Sequence, residues 1–239
     1  MRTIYIFPYG GGSAGSYRSY AARFPTEVAR VIPVEISGHG KRAQEDFATS
    51  IEECAARTLE QIDTTGDYIL HGHCMGALLA FEATKLIEAR QRPLPSLLVA
   101  SGRNAPRHAS AWLSRVPELD DQSLFKEMQE FGGIPKGLSF AMARDFLTVI
   151  RSDQAMFRDY DPGDTKIDVP ILALAGSEDQ MTNAAALAEW QNYTSGAVAI
   201  EWLEGGHYFL LQQPDRVAAL VEHFGGRAGS SALAEGHAA

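Results

Sequence analysis

Short, continuous apolar runs alternate along the chain with longer segments of helical periodicity. Six of these runs have the length of β-strands and lack the polar alternation of a half-exposed sheet. They are Thr3–Phe7, Val31–Ile36, Asp67–His71, Leu97–Ser101, Ile171–Ala175 and Val198–Leu203. Strands of this kind are typically covered on both faces, and strand–helix alternation is typical of crossover connections. The pattern therefore predicts an α/β protein with a mostly parallel sheet flanked by helices.

Two helices carry readable terminal signals. Residues 49–53 contain two overlapping capping boxes, before a helix predicted to reach about Ile62. Pro214 stands in the first turn of the last helix, and Gly225 is predicted to lie just past its end. Residues 1–226 are predicted to form one α/β domain, followed by a flexible tail over residues 227–239 that is rich in Gly, Ala and Ser.

One section interrupts the alternation. Residues 112–160 contain no strand pattern and are predicted to form helices over Asp120–Phe131 and Leu138–Tyr160. Ligands of parallel sheets bind at the carboxyl ends of the strands, where an insertion would cover them. The section is therefore predicted to be a lid over an active site, with extra packing as the alternative.

Composition excludes several classes of function. The formal net charge of −9 argues against a nucleic-acid partner, and no apolar run approaches the ~18 residues of a membrane helix. The N-terminus has the pattern of a strand, not of a signal peptide. Cys54 and Cys74 are too few for a disulfide framework or a zinc site and suit a reducing cytoplasm. We expect a cytoplasmic protein without metal or cofactor.

A cysteine occupies the centre of a glycine-flanked turn. The run Gly72–Gly76 follows a predicted strand and precedes an all-apolar helix, which is the setting of a nucleophile elbow. The helix N-terminus favours an anion and lowers the pKa of a thiol. Cys74 is therefore the predicted nucleophile, with a buried structural cysteine as the alternative. Cys54, among alanines of a helix, is predicted to be buried and structural.

Two later strand ends carry groups that could activate this thiol. Asp179 follows one strand and His207 follows the next, in the chain order of nucleophile, acid and histidine. His207 is predicted to be the general base, and Asp179 to orient its ring. Glu178 is the rival acid. The remaining histidines are not expected to be catalytic: His39, His71, His73, His108, His223 and His237.

A glycine-rich loop, Tyr9–Ser13, directly follows the first predicted strand. Neither a phosphate-binding lysine nor a dinucleotide fingerprint accompanies it, which disfavours a phosphate site. The backbone N–H of Gly10 is instead predicted to pair with that of Met75 as an oxyanion hole. A tight turn that requires a positive φ is the alternative.

Several runs together resemble type II thioesterases, the discrete editing hydrolases of nonribosomal peptide and polyketide assembly lines. They are Phe7–Ala14 with Tyr17, Gly72–Ala77, Ser101–Pro106, Phe131–Pro135, Arg151–Asp153 and Gly205–Leu210. Each run is weak alone, but in this order they are specific, and the similarity extends from about Thr3 to Phe224.

The resemblance implies an α/β-hydrolase fold with a helical lid and a substrate held as a thioester on the phosphopantetheine of an acyl or peptidyl carrier protein. It implies hydrolysis of misloaded or stalled acyl groups. Carried over by position, Cys74, Asp179 and His207 form the triad, and Gly10 and Met75 are the oxyanion donors.

Two residues depart from the family pattern. Tyr9 stands where the family usually has His, and Cys74 where it usually has Ser. A cysteine exchanges one thioester for another and keeps the acyl group activated, which opens acyl transfer, amide formation or Dieckmann-type cyclisation as alternatives to hydrolysis. Cysteine-bearing relatives that perform Dieckmann cyclisation carry their acid after the strand that follows the nucleophile helix. Here Ser101–Arg103 holds that place without a carboxylate.

Two sets of side chains are candidates for substrate contact. A local basic patch is expected to dock an acidic carrier protein, with ordinary solvated arginines as the alternative; the candidates are Arg18, Arg103, Arg107 and Arg115. Large apolar residues of the insertion could line a chamber, although their helical spacing favours core packing; they are Met128, Phe131, Met142, Phe146 and Phe157.

Overall fold

The computed structural model describes residues 1–25, 27–108 and 111–227, and within them six strands form one sheet. The strands are β1 (Arg2–Phe7), β2 (Ala29–Pro33), β3 (Tyr68–His73), β4 (Leu97–Ser101), β5 (Ile171–Gly176) and β6 (Val198–Leu203). Their order across the sheet is β2-β1-β3-β4-β5-β6, and every neighbouring pair is parallel. The predicted parallel sheet is confirmed.

The second strand lies earlier in the chain than its apolar run predicted. Ile6 pairs with Pro33 as the last register position of β2, and the N–H of Glu35 leaves the ladder to donate to Gln61 Oε1 at 3.0 Å. Val34 and Ile36 are buried although they lie outside the strand. Burial in a loop, not strand pairing, explains the end of that apolar run.

Helices cover both faces of the sheet and the section between β4 and β5. They are α1 (Arg18–Ala21), α2 (Ile51–Thr58), α3 (Met75–Ala89), α4 (Ala111–Arg115), α5 (Asp121–Phe131), α6 (Phe140–Ala155), α7 (Ala184–Ala188), α8 (Phe209–Gln212) and α9 (Pro214–Arg227). Ser50 caps α2 by accepting a hydrogen bond from the N–H of Glu53. Within the described ranges, no helix combines the length and apolar character required to cross a membrane.

The last helix does not end where its glycine predicted. α9 continues through Gly225 to Arg227, so the prediction that Gly225 lies past its end is wrong. A Cβ at Gly225 would lie 2.5 Å from Arg2 Nη1 and 2.8 Å from Ile69 Cδ1. The glycine therefore permits close packing of the helix on the sheet. The predicted flexible tail lies outside the described residues, except for Arg227.

Alternate side chains of the strands enter two core layers. Tyr5 and Phe7 of β1 pack with α2 and α3 on one face, whereas Ile4 and Ile6 pack with α1, α8 and α9 on the other. Each fully buried side chain of this size stabilises the fold by about 1.5–3 kcal/mol. Burial on both faces explains the continuous apolar runs of β1, β3, β4 and β5. Cys54 is buried in the first layer, as predicted.

The section between β4 and β5 forms a helical insertion, defined here as residues 111–160. α5 begins one residue later than predicted, with Asp120 as its N-cap, and ends at Phe131 as predicted, whereas α6 is shorter at both ends than the predicted helix. The insertion has a small core of its own, which contains Val116, Leu124, Met128, Ile134, Ala143, Leu147 and Ile150. No strand interrupts it within the described residues.

Candidate active site

Cys74 lies in the turn between the end of β3 and the start of α3. Its backbone is left-handed, with φ 55° and ψ −115°, a conformation that is strained for a residue with a side chain. Hydrogen bonds fix the turn: the Cys74 N–H donates to the Ser101 carbonyl at 2.8 Å, and the Ala77 N–H donates to the Cys74 carbonyl at 3.1 Å. The side chain of Cys74 is partly exposed at the carboxyl edge of the sheet.

The two flanking glycines are required by close backbone contacts. A Cβ at Gly72 would lie 2.0 Å from the carbonyl oxygen of Gly76, and a Cβ at Gly76 would lie 2.3 Å from the carbonyl oxygen of Phe7. Contacts this short with backbone atoms cannot be relieved by a rotamer change. The glycines therefore allow the turn to sit against β1, so that the loop after β1 borders Cys74.

The acid and the histidine meet at the same edge. His207 Nδ1 lies 2.9 Å from Asp179 Oδ2, and both side chains are buried. The N–H of Met181 donates to the second carboxylate oxygen, Oδ1, at 2.8 Å and holds the acid in place. Glu178 is exposed, and Asp179 is the carboxylate that contacts His207.

The charges of this cluster stabilise one another. Burial alone would raise the pKa of the Cys74 thiol, but the His207 charge, a hydrogen bond to His207, the Arg103 charge and the Met75 N–H lower that pKa below its ordinary value. Burial lowers the pKa of His207, whereas Cys74 and Asp179 together raise it to about 10. The charged forms of the sulfur and the imidazole therefore stabilise each other, which favours a thiolate–imidazolium pair.

The glycine-rich loop after β1 borders the same space. Its turn is closed by the Gly12 N–H, which donates to the Tyr9 carbonyl at 2.8 Å. Gly11 has a φ of 79°, and a Cβ there would lie 2.8 Å from side-chain carbons of Phe146 and Ile150. Gly10 lines the chamber that also contains Cys74, Met75 and His207. The two residues predicted to supply the backbone donors, Gly10 and Met75, thus border the same chamber as the sulfur.

Comparison with known proteins adds to this geometry. The model of the thioesterase domain family matches residues 2–227. The chain belongs to this thioesterase family. It is 31% identical over 219 residues to the thioesterase PikA5 of Streptomyces venezuelae. The aligned region covers 88% of this chain and 76% of PikA5. It is 29% identical to phenyloxazoline synthase MbtB of Mycobacterium tuberculosis over 91% of this chain, but over only 16% of that larger protein.

A solved relative shows the same architecture. RedJ, a thioesterase from the prodiginine biosynthetic pathway of Streptomyces coelicolor, is 31% identical and superposes with a TM-score of 0.82 over 94% of this chain and 85% of its own. The sheet and its helices are therefore an α/β-hydrolase fold, as the resemblance implied. The chain is a hydrolase that acts on thioester bonds.

The thioesterase encloses a chamber of about 40 Å³ between Cys74 and the helical insertion. Three of the five apolar candidates line it, namely Met128, Phe131 and Phe157. Phe146 packs against the core of the insertion instead. Met142 is 72% exposed, so the prediction that it lines or packs a chamber is wrong. Met142 lies on the solvent-exposed face of α6, and helical spacing alone did not separate this face from the buried one.

The sequence did not predict one buried ion pair, that of His39 and Asp153. His39, expected only as a loop residue, is 3% exposed. Its Nε2 donates to Asp153 Oδ2 at 3.0 Å and its Nδ1 donates to the Ser37 carbonyl at 3.0 Å. Burial lowers the pKa of His39, but the hydrogen bond and charge of Asp153 outweigh burial and raise it. The same Asp153 oxygen accepts the N–H of Gly11 at 2.7 Å, so α6 is tied to the glycine-rich loop.

Two further histidines form a neutral network behind the nucleophile. The Oγ of Ser101 lies 3.1 Å from His71 Nε2 and 2.9 Å from His73 Nδ1. Tyr20 closes the network through its hydroxyl, 3.0 Å from His71 Nδ1. Burial lowers the pKa of His71 to about 3 and that of His73 well below its ordinary value. Neither ring is charged at neutral pH, and neither was predicted to be catalytic.

The four arginines proposed for docking divide into two groups. Arg18, Arg107 and Arg115 are exposed, and the last two form ion pairs with Asp164 and Glu127. Arg103 is only 5% exposed, so the prediction that it belongs to a docking surface is wrong. The helical insertion covers it, because Arg103 lies just past the end of β4 beneath Phe157.

Proposed function

We propose that this thioesterase releases acyl or peptidyl groups from the phosphopantetheine of carrier proteins in a secondary-metabolite pathway. The observation that carries the proposal is that His207 contacts both Cys74 and Asp179 beneath the helical insertion. The names of the relatives support the setting, since RedJ belongs to the prodiginine pathway. The insertion acts as a lid that shields the acyl group from bulk water.

The first step transfers the acyl group to the protein. The thiolate of Cys74 attacks the thioester carbonyl, and the oxyanion that forms accepts hydrogen bonds from the backbone N–H groups of Gly10 and Met75. Collapse of this intermediate breaks the bond between the carbonyl carbon and the pantetheine sulfur. His207 gives its proton to the departing sulfur, and Asp179 holds the ring in the required tautomer.

The second step releases the acid. His207, now neutral, takes a proton from water as the oxygen attacks the acyl-Cys74 carbonyl. The carbon–sulfur bond to Cys74 breaks, the carboxylic acid leaves, and the thiolate–imidazolium pair is restored. No cofactor enters either step.

A second outcome is favoured by the sulfur itself. Acyl-Cys74 is a thioester and stays activated toward amines and carbon nucleophiles, so acyl transfer or cyclisation on a carrier-bound chain is the alternative function. The acid of the site follows β5, and Arg103 follows β4. This placement disfavours a Dieckmann-type cyclase, for which we expect the acid after β4.

Acylated carrier protein, supplied with and without an amine acceptor, separates these outcomes by mass spectrometry of the products. Free acid alone supports hydrolysis, and amide or ring product supports transfer. The Cys74→Ser variant forms an oxoester and is expected to give free acid only. Cys54→Ala is the matched control and is expected to behave as the unchanged protein. No product from any carrier, together with a Cys74 that iodoacetamide leaves unmodified, contradicts both functions.

A further inference from the structure

A second, larger cavity adjoins the chamber of Cys74. Its volume is about 420 Å³, and it shares Leu113, Gln154 and Phe157 with that chamber. Cavities of roughly 300–1,000 Å³ are typical of small-molecule sites. The cavity is therefore large enough to hold the part of a substrate that lies beyond the reacting carbonyl.

The lining of this cavity is positively charged. Among the described residues it contains four arginines, Arg103, Arg107, Arg151 and Arg158, and no carboxylate. Arg107 and Arg151 form ion pairs with exposed carboxylates, those of Asp164 and Asp121. Arg103 and Arg158 have no such ion pair within the described part of the chain. The cavity thus holds positive charge that its own lining does not neutralise.

Arg103 is the buried member of this set. It is 5% exposed, and its Nε has no hydrogen-bond partner among the described residues. Burial lowers its pKa, and the charges of Cys74 and Tyr160 oppose that effect. Arginine nevertheless remains charged in proteins, and a buried guanidinium with an N–H that makes no hydrogen bond is unfavourable. Because Arg103 lines the cavity, an anionic ligand there would offset its buried charge.

The backbone around Arg103 is held rigidly between the nucleophile and the acid. Its carbonyl accepts the indole N–H of Trp190 at 3.1 Å. The next residue, Asn104, donates to the Met181 carbonyl at 3.1 Å and accepts the N–H of Asn183 at 3.1 Å, in the loop that follows Asp179. The fixed backbone and the burial of the side chain limit the conformational freedom that Arg103 would lose on binding a ligand.

The position of Arg103 also indicates which part of the substrate it would contact. Its guanidinium lies over the ring of Phe157, 5.3 Å from the ring centre, and Phe157 lines the Cys74 chamber. A carboxylate on the acyl group lies a few bonds from the reacting carbonyl. The phosphate of phosphopantetheine is separated from the thioester by the whole pantetheine chain and fits this place less well.

We propose that Arg103 binds a carboxylate carried by the acyl group, so that the preferred substrates are carboxyacyl thioesters. This inference rests on the proposed function and adds the class of acyl group. Arg103 forms charge-assisted hydrogen bonds to the carboxylate, and these bonds orient the thioester carbonyl toward Cys74. Arg103 thus determines specificity, and the triad performs the chemistry.

The test uses two N-acetylcysteamine thioesters that are matched in size. Succinyl carries a carboxylate where succinamyl carries a neutral amide, and neither thioester carries a phosphate. The unchanged protein should favour succinyl in kcat/KM by about 10- to 100-fold, as expected for hydrogen bonds between charged groups. Arg103→Met should abolish the preference for succinyl, so that the ratio of the two kcat/KM values falls to about one. Arg103→Lys should retain part of that preference. Arg144→Gln, on the exposed face of α6, removes a charge outside both cavities and should leave the ratio unchanged.

Either of two results overturns the proposal. The first is a succinyl-to-succinamyl ratio of kcat/KM near one in the unchanged protein, and the second is a preference for succinyl that Arg103→Met preserves. A further pair, butyryl-pantetheine and butyryl-phosphopantetheine, tests the other anion. If Arg103→Met removes only a preference for the phosphorylated member, the ligand is the phosphate and the proposal is wrong.

A binding measurement separates this proposal from the proposed function. Cys74→Ala cannot turn over, so calorimetry with this variant compares succinyl and succinamyl thioesters directly. Tighter binding of succinyl without any hydrolysis by the unchanged protein would contradict the function and support the anion site. Hydrolysis of both thioesters at equal rates, with equal affinities, would contradict the anion site and leave the function standing.

Discussion

Asp153 connects the helical insertion to the loop that supplies an oxyanion donor, and its replacement by alanine tests that connection. One oxygen of this carboxylate accepts both the Gly11 N–H at 2.7 Å and His39 Nε2 at 3.0 Å. Both members of the ion pair are buried. Removing one member of a buried pair costs about 3–5 kcal/mol, because the other is left without its partner.

For a chain of this size, that loss corresponds to a fall in Tm of about 6–20 °C. The catalytic effect is separate from the loss of stability. Gly11 is adjacent to Gly10, and a shift of the loop by about 1 Å can reduce a rate about 100-fold. We therefore expect Asp153→Ala to lower kcat toward a small thioester by about 10- to 100-fold below its melting temperature.

Circular dichroism melting and steady-state hydrolysis of an N-acetylcysteamine thioester measure the two effects. Asp145→Ala is the matched control, because Asp145 lies on the same helix and is exposed. An exposed substitution of this kind should change stability by less than about 0.5 kcal/mol. If Asp153→Ala melts and turns over like Asp145→Ala, the connection between insertion and loop has no energetic role.

The ion pair also has a defined pH dependence. Because the pKa of His39 is raised in the folded protein, its contribution to stability is complete below the ordinary histidine pKa of about 6.5. That contribution is lost as the pH rises through the raised pKa. The difference in Tm between the unchanged protein and Asp153→Ala should therefore narrow on the alkaline side. A difference that widens with pH would contradict the assignment of a charged His39.

Two further predictions concern the thiol and the partner surface. The Cys74 thiol, with its lowered pKa, should react with iodoacetamide below the ordinary thiol pKa of about 8.5, whereas burial raises the pKa of Cys54 to about 12 and should protect it. Peptide mass mapping across pH checks this, and modification of Cys54 first would contradict it. Arg18→Glu with Arg115→Glu should raise KM for carrier-bound thioester but not for a small thioester; equal effects on both would contradict docking at these residues.

Local patterns predicted the fold and indicated the residues of the proposed triad, because their signals lie within a few neighbouring residues. β4 and β6 coincide with their apolar runs, since every position of β4 is buried and β6 ends at its turn. The turn around Cys74 depends on two glycines within five residues. Asp179 and His207 each follow a strand directly, so the parallel sheet alone brings them to one edge. Such signals require no knowledge of the packing between distant segments.

The features that the sequence did not reveal depend on contacts between distant segments. His39 and Asp153 are 114 positions apart, and nothing near either residue indicates its partner. Arg103 lies in a polar run that resembles a surface loop, and only the packing of the insertion buries it. Gly225 has the pattern of a helix end, yet it is required by the approach of Arg2 and Ile69. Local composition does not encode such neighbours.

Intact-protein mass spectrometry during a single turnover tests most directly whether Cys74 carries the acyl group between two steps. The unchanged protein is mixed with substrate and quenched in acid before turnover is complete, because acid protonates His207 and so removes the base that activates water, which preserves the acyl form. The expected result is a mass increase of one acyl group, which peptide mapping places on Cys74 and which Cys74→Ala lacks. Release of free acid without any acylated protein, or an acyl group located on another residue, would contradict the mechanism.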